Sequence, residues 1–303
     1  MLKYYVFCLV IMCLCIAPAQ AKTGCGDNGV WLQVLGSGGP ELDDGRASSG
    51  YLIWNQAKAR ILVDMGSGSL LHFEQSGASV NDLDVILFSH LHVDHSSDLP
   101  ALVKASFFSD RDRDLPIAGP DGNRFMPSIS NFLKDLFWVD GAYQYLNRYL
   151  DGTGSYRLVP VEVQTTNIKQ QRVLPKLPYQ LTAVPVHHGA LPALAWRVVI
   201  QKKAIVFSGD MNNDNDTLAA LAKHADVLVA HNAVPEGATG VARNLHMPPS
   251  VIGQIAAKAK VKLLMLSHRM KRTLGNEPDT VKQIRKSYQG SLQFAEDMQC
   301  LKP

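Results

Sequence analysis

The chain has 303 residues, of which 46% are hydrophobic and 19% are charged, a composition that is typical of a folded globular protein and excludes a disordered or fibrous chain. The formal net charge is only +3, which gives no support to a dedicated nucleic-acid-binding protein. Beyond the first 21 residues no apolar run is long enough to cross a bilayer, which excludes a multi-span membrane protein.

The N-terminus predicts export. Lys3 precedes an apolar run over residues 6–17, and Ala19-Gln20-Ala21 supplies small residues at both positions of an A-x-A cleavage site. This layout is typical of a secretory signal peptide, so we expect residues 1–21 to be removed and residues 22–303 to form the mature domain. The alternative is an uncleaved membrane anchor. The expected location is the periplasm or the cell exterior, with no membrane contact after cleavage.

The cysteines divide at the predicted cleavage site. Cys8, Cys13 and Cys15 leave with the signal peptide, so the mature chain keeps Cys25 and Cys300. Two cysteines near the two ends of an exported chain predict a disulfide, with two unrelated thiols as the alternative. So few thiols also argue against a cysteine-based metal site.

Short strands and glycine turns open the mature chain. Residues 31–35, 50–54 and 60–63 have the pattern of strands. Five later apolar runs also predict strands, over residues 84–89, 181–186, 204–208, 226–230 and 261–267. Helical patterns at residues 217–224 and 250–260 lie between some of these runs. Strands interleaved with helices predict a layered α/β domain.

The stretch over residues 107–156 differs from the rest because it holds many aromatic side chains. It is predicted to be an insertion that is helical in part, over residues 128–150. Its aromatic side chains either wall a substrate cleft or form the insertion's own core.

Each of the five later strands ends on candidate metal ligands. The first run ends in His90-Leu91-His92-Val93-Asp94-His95, and the others end in His187-His188, Asp210, His231 and His268. Groups beyond the carboxyl ends of strands in α/β sheets gather in one crevice. These side chains are therefore predicted to share one site.

The spacing in the first run indicates two metal positions. In an extended segment His90 and His92 point to the same side and can reach one metal ion, whereas Asp94 and His95 turn toward a second position. Imidazole and carboxylate ligands without a thiolate suit catalytic zinc, with manganese or iron as alternatives.

These motifs resemble the metallo-β-lactamase superfamily over essentially the whole mature chain. Residues 34–40 and 62–68 are similar to its opening strands and turns. Residues 98–100, 117–120 and 266–272 are similar to the ribonuclease Z and arylsulfatase-like branch. The resemblance implies an αββα sandwich with two metal ions in the crevice between its halves.

The resemblance also implies the ligand sets. The first metal ion would be held by His90, His92 and His188, the second by Asp94, His95 and His268, with Asp210 as the bridge. The expected cofactors are two zinc ions.

Two residues of the predicted site have alternative interpretations. His188 is preferred over His187 because it is nearer the loop, which leaves His187 as a neighbour of the site. Asp64 is similar to the family's buried carboxylate that orients ligands, or it closes the turn before Gly66.

The remaining histidines are treated by the same resemblance. His246 is a candidate proton donor to the leaving group, with a structural role as the alternative, and Asp94 and His246 are the predicted catalytic residues. His231 lies where ribonuclease Z proteins have a His-Glu pair, but Asn232 replaces the Glu. This replacement argues against a tRNA-type proton relay.

One structural element of the ribonuclease Z proteins is missing from this sequence. Ribonuclease Z proteins carry a tRNA-gripping arm before the bridging aspartate, whereas here only 21 residues separate His188 from Asp210. Together with the predicted export and the near-neutral charge, this short segment predicts that no nucleic acid is a partner.

The sequence thus predicts an exported dinuclear hydrolase of ester bonds with a small-molecule substrate. The similarity of residues 187–197 to arylsulfatases favours a sulfate or phosphate ester. The first alternative is a lactonase or β-lactamase-type hydrolase of C–O or C–N bonds, and the second is a non-catalytic metal-binding protein of the same fold. The oligomeric state is left open.

Overall fold

The computed structural model describes residues 24–303, so the predicted signal peptide lies outside the described residues. The strands are β1 (Val30–Gly36), β2 (Gly50–Asn55), β3 (Lys58–Met65), β4 (Val85–Leu87), β5 (Leu115–Pro120), β6 (Leu158–Val163), β7 (Gln171–Val173), β8 (Gln180–His188), β9 (Leu191–Ile200), β10 (Lys203–Phe207), β11 (Val227–His231), β12 (Leu263–Ser267), β13 (Ser291–Phe294) and β14 (Cys300–Leu301). The helices are α1 (Ser69–Gln75), α2 (Val93–Ser96), α3 (Leu99–Ser106), α4 (Ile129–Phe137), α5 (Arg148–Asp151), α6 (Leu218–Leu221), α7 (Gly240–Leu245), α8 (Pro249–Ala259) and α9 (Glu277–Arg285). Within residues 24–303 no helix is long and apolar enough to cross a membrane.

The described residues form two seven-stranded sheets that pack face to face. The strand order is β14-β1-β2-β3-β4-β5-β6 in the first sheet and β13-β12-β11-β10-β9-β8-β7 in the second. Helices α1, α3 and α4 cover the outer face of the first sheet, and α6, α8 and α9 cover the outer face of the second. The predicted α/β fold, an αββα sandwich, is confirmed.

Alternate residues of the inner strands serve different layers. In β2, Tyr51 and Ile53 pack between the sheets, whereas Leu52 and Trp54 face the helices. A strand that is buried on both faces needs apolar residues at every position. This requirement explains the uninterrupted apolar runs in the sequence.

Strand direction places the predicted ligands together. Strands β3 to β6 run parallel to one another, as do β10 to β13. The carboxyl ends of β4, β10, β11 and β12 consequently meet at one edge of the sandwich. At that edge the two sheets are joined by hydrogen bonds, in which Trp196 Nε1 donates to the carbonyl of Phe88 at 2.9 Å and Leu194 N donates to that of Ser89 at 2.8 Å.

The aromatic segment is only in part an addition to the sandwich. Strand β5 lies inside the range 107–156 and is hydrogen-bonded between β4 and β6. Aromatic content could not reveal this boundary, because β5 contains no aromatic residue. Outside the sheet, Phe137, Tyr149 and Tyr156 are buried in the core that the first sheet forms with its covering helices, so these aromatics extend that core.

A disulfide ties the two ends of the described chain together. Cys25 and Cys300 are bonded, with their Cα atoms 5.5 Å apart, so this prediction is confirmed. The bond adjoins the pairing of Gln33 with Cys300 that adds β14 to the edge of the first sheet.

Candidate metal centre

The loop after β4 carries four of the predicted ligands, and a glycine allows its close packing. The loop turns into the short helix α2, in which the His95 amide donates to the carbonyl of His92 at 3.0 Å. A Cβ atom at Gly66 would lie 2.0 Å from the backbone oxygen of Asp94. Only glycine therefore lets the turn after β3 pack against this loop.

Four side chains converge as the first predicted ligand set. Nδ1 of His92 lies 3.0 Å from Nε2 of His90 and 3.4 Å from Nε2 of His188. Oδ2 of Asp210 lies 4.0 Å from Nε2 of His90 and 3.8 Å from Nε2 of His188. All four ligand atoms lie within 4.8 Å of one another, so this set could hold one metal ion.

The second predicted set meets at the same carboxylate. Nε2 of His95 lies 3.6 Å from Oδ2 of Asp94 and 3.7 Å from Oδ2 of Asp210. Nε2 of His268 lies 3.1 Å from Oδ2 of Asp94 and 3.4 Å from Oδ2 of Asp210. One oxygen of Asp210 thus faces both sets, as a bridging ligand would.

The outer hydrogen bonds of the histidines leave the inner nitrogens free for a metal. Nδ1 of His188 lies 3.0 Å from the carbonyl of Leu245, and Nδ1 of His90 lies 3.1 Å from Oγ of Ser89. A ring nitrogen that donates outward leaves the other as the lone-pair nitrogen. Nε2 of His95 is buried and has no hydrogen-bond partner within residues 24–303. A buried polar atom without a partner is costly, and a metal ion would satisfy it, so the residues fit a metal centre.

Asp64 supports this arrangement. Its carboxylate accepts hydrogen bonds from the amide and the hydroxyl of Ser89, each at 2.7 Å, and lies 2.9 Å from Nδ1 of His95. These contacts favour the predicted role of Asp64 in orienting a ligand, here His95, over a role in closing the turn. Ser89, which adjoins the histidine motif, was not identified from the sequence.

The structure separates the two adjacent histidines of β8. His188 is buried in the cluster, whereas the side chain of His187 is 34% exposed and its Nδ1 lies 3.7 Å from Asp214. Successive strand residues point to opposite faces, so only one of the pair can face the cluster.

His231 contacts Asp210 from the other side. Its Nδ1 lies 2.7 Å from Oδ1 of Asp210, and its Nε2 lies 3.3 Å from the hydroxyl of Tyr51. That hydroxyl donates to Oγ of Ser267 at 2.8 Å. His231 also lies within ligand distance of the second set, but its Nδ1 is already engaged by Oδ1. No signal in the sequence indicates Tyr51 or Ser267, which lie in apolar strands.

His246 follows α7 and lies beside the shared carboxylate. It is 7% exposed, and its Nδ1 lies 3.8 Å from Oδ1 of Asp210. A cavity of about 420 Å³ opens here, lined by Pro40, His92, Asp94, His188, Asp210, Val241, Ala242, Leu245, His246, His268, Met270 and Arg272. No Phe, Tyr or Trp of the described residues is among these lining residues.

Burial and charge set the protonation states beside Asp210. Burial lowers the pKa of His246 to about 3 and that of His231 to about 4, so both imidazoles are neutral near pH 7. Burial opposes ionisation of Asp210, but the charge of His268 and the hydrogen bonds from His231 and His95 outweigh it and hold the pKa of Asp210 well below its usual range. An ionised carboxylate therefore occupies the centre of the cluster.

The cluster attracts positive charge. Burial lowers the pKa of His95, but the carboxylates of Asp94 and Asp64 outweigh this effect and raise it well above its usual value. An environment that favours a proton on a buried imidazole also favours a cation bound in its place.

Comparison with known proteins identifies relatives of this fold. A sequence model of the family described as "Beta-lactamase superfamily domain" matches residues 59–269. Ribonuclease Z from Haloferax volcanii is 26% identical over 302 residues, covering 88% of this chain and 93% of the relative. Ribonuclease Z from Picrophilus torridus is 26% identical over 266 residues, covering 78% of this chain and 84% of the relative.

Solved structures have the same fold. The metallo-beta-lactamase fold protein YhfI from Bacillus subtilis superposes with a TM-score of 0.69 at 22% identity, covering 90% of this chain and 99% of that one. The short form of human tRNase Z superposes with a TM-score of 0.68 at 19% identity, covering 90% of this chain and 98% of that one.

The prediction of a small-molecule sulfate or phosphate ester substrate, with no nucleic-acid partner, is wrong. So are its lactonase and β-lactamase-type alternatives, because these relatives are named as ribonucleases. A formal charge averages over the whole surface and says little about local contacts with RNA. The segment between His188 and Asp210 is indeed short, with β8, β9 and β10 joined by two-residue turns, but its shortness removes only one way of holding RNA.

Proposed function

This hydrolase belongs to the metallo-β-lactamase superfamily, with ribonucleases Z among its relatives, and we propose that it cleaves phosphodiester bonds of RNA. Three observations support this proposal. The curated relatives are named as ribonucleases, the buried histidines and aspartates form two ligand sets, and a cavity open to solvent lies beside them. The fold neighbours include a tRNase Z, so precursor tRNA is the first RNA to test.

This proposal depends most on the position of one carboxylate oxygen of Asp210. Oδ2 of Asp210 lies within 4.0 Å of Nε2 in His90, His95, His188 and His268. A carboxylate oxygen placed in this way could serve both ligand sets. Two cation sites that share a carboxylate would suit in-line displacement at phosphorus.

The proposed cofactors are two zinc ions, with manganese or iron able to take the same ligands. One ion would be held by His90, His92 and His188, the other by Asp94, His95 and His268, with Asp210 between them. When bound, such ions lower the pKa of water and neutralise charge on the phosphoryl oxygens.

The chain's own residues complete the site. Asp94 belongs to the second ligand set, where its Oδ2 lies 3.1 Å from Nε2 of His268, and it also lines the cavity. His246 lines the cavity and gives a proton to the leaving oxygen of the RNA strand. Burial lowers the pKa of His246 to about 3 in the free protein, so the ring is neutral there and has to gain this proton when the substrate binds. Arg272, on the same cavity wall, offers a guanidinium to that charge.

We also propose that the protein is exported. The predicted signal peptide and the disulfide between Cys25 and Cys300 support this location, because disulfides persist in oxidising compartments. N-terminal sequencing of protein recovered from the periplasm or the medium should give Lys22 as the first residue.

A substrate panel tests the proposed activity. The purified protein, loaded with zinc, is incubated with a precursor tRNA transcript, a single-stranded RNA oligonucleotide and p-nitrophenyl sulfate. The proposal expects cleavage of RNA that stops after chelation and resumes when zinc is restored. Hydrolysis of the sulfate ester with both RNAs left intact would refute it.

A further inference from the structure

The loop after β5 lies at the sheet edge that carries the proposed metal ligands. We call residues 121–127 the rim loop. The carboxylate of Asp121 accepts hydrogen bonds from the amide and hydroxyl of Thr165, at 3.0 and 2.6 Å. Oδ1 of Asn123 accepts from the amide of Phe125 at 2.8 Å. Because β5 lies next to β4 and runs parallel to it, the rim loop lies at the sheet edge where the ligand loop begins.

The rim loop is joined to a strand that carries a proposed ligand. Nδ2 of Asn123 donates to the carbonyl of Ala190 at 2.7 Å. Ala190 lies in the two-residue turn that follows His188. This bond fixes the position of the rim loop relative to the metal centre.

The rim loop presents a cation and an aromatic ring together. The guanidinium carbon of Arg124 lies 4.5 Å from the ring centre of Phe125. Phe125 is 54% exposed, so its ring is accessible to a partner from solvent. Its ring and the Arg124 guanidinium together form an exposed pair of an aromatic side chain and a cation.

We propose that Arg124 and Phe125 bind the RNA strand beside the scissile phosphodiester, with a base stacked on Phe125 and a phosphate paired with Arg124. This inference rests on the proposed function. Exposed aromatic rings next to cations are how proteins hold single-stranded nucleic acid without reading its sequence. The cavity, at about 420 Å³, admits only the reacting part of a polymer, so the neighbouring nucleotides must lie on its rim.

The chain supplies a matched control in another exposed aromatic. Phe108 is 79% exposed, and Nζ of Lys104 lies 5.1 Å from its ring centre. Helix α3 leads from the end of β4 back toward the start of β5, so its last residues lie at the opposite edge of the sheet. Phe108 therefore has the same chemistry as Phe125 but a position away from the metal centre.

The experiment compares KM and kcat for a single-stranded RNA oligonucleotide. We expect Phe125→Ala to raise KM about tenfold or more, with kcat and metal content little changed. Arg124→Gln should raise KM less and should weaken its dependence on salt by about one phosphate contact. Phe108→Ala should leave KM unchanged. Melting temperatures of all variants should match that of the wild type, since the replaced side chains are exposed.

The experiment distinguishes failure of this inference from failure of the proposed function. If the wild type cleaves RNA and Phe125→Ala keeps the wild-type KM, or Phe108→Ala raises KM equally, this inference is overturned while the proposed function stands. If the zinc-loaded wild type cleaves no RNA, the proposed function itself is overturned.

Discussion

Nδ1 of His231 lies 2.7 Å from Oδ1 of Asp210, on the opposite oxygen from the one that faces both ligand sets. This contact holds the carboxylate in one orientation, with Oδ2 facing both proposed ligand sets. Tyr51, in the first sheet, holds the other nitrogen of the same ring. A strand of one sheet thereby helps to orient a ligand carried by the other.

Removal of His231 should therefore weaken metal binding. We expect His231→Ala to lower metal affinity about 10- to 100-fold, measured as zinc retained against a competing chelator. His231→Gln, which keeps a donor toward Asp210, should recover part of the loss. If His231 were instead a direct ligand, the Gln variant would be as poor as the Ala variant, and unchanged affinity in both would contradict any role in the site.

Metal stoichiometry tests the shared carboxylate. The purified protein should hold about two metal ions per chain, and Asp210→Ala should lose at least one of them together with most activity. Asp214→Ala is the matched control, because Asp214 is a largely exposed carboxylate on the same loop. Elemental analysis of the three proteins gives the answer, and two retained ions in Asp210→Ala would exclude a bridge.

His246 should matter most when the leaving oxygen is strongly basic. General acid catalysis typically contributes about 10²- to 10⁴-fold, so His246→Ala should slow RNA cleavage by that order. Bis-p-nitrophenyl phosphate, whose leaving group departs nearly unaided, should be affected far less. Turnover of both substrates is measured on one preparation whose metal content is known.

The structural alternative for His246 gives a different pattern. If the ring only packs the chain before Pro248, both substrates should lose activity equally and the melting temperature should fall. That outcome would remove His246 from the proton transfer.

The disulfide should contribute strongly to stability. Its two cysteines are 275 residues apart in sequence, and closing so long a loop stabilises a fold by roughly 4–5 kcal/mol in the chain-entropy model. A Cys25→Ser, Cys300→Ser double variant should show a free energy of unfolding lower by up to that amount in urea titrations. Two titratable thiols in the non-reduced wild type would show that the bond does not form.

Much of the fold could be predicted because its strands are buried on both faces. Their apolar runs are continuous, and the ligands follow directly at their carboxyl ends, so His90, His188 and His268 could be placed in one crevice before any contact was known. Strand β5 was hidden within the aromatic segment, since Leu115–Pro120 carries neither alternation nor aromatic residues.

The supporting contacts could not be predicted. Tyr51 and Ser267 belong to different sheets, and their hydrogen bond exists only because the sheets pack face to face. The proposed RNA substrate could not be predicted for a related reason. Net charge sums the whole surface, whereas the proposed substrate contacts depend on a few side chains, such as Arg272 at the cavity.

The central claim is that the protein cleaves RNA with bound metal ions. It is tested most directly by comparing RNA cleavage by variants of the adjacent residues His187 and His188. His188→Ala removes a proposed ligand, whereas His187→Ala changes a neighbour that faces Asp214 instead of the cluster. With zinc supplied, we predict that the wild type and His187→Ala cleave a labelled precursor tRNA transcript at similar rates, while His188→Ala is inactive. Intact transcript with zinc-loaded wild type, or equal cleavage by His188→Ala, would contradict a metal-dependent RNA phosphodiesterase.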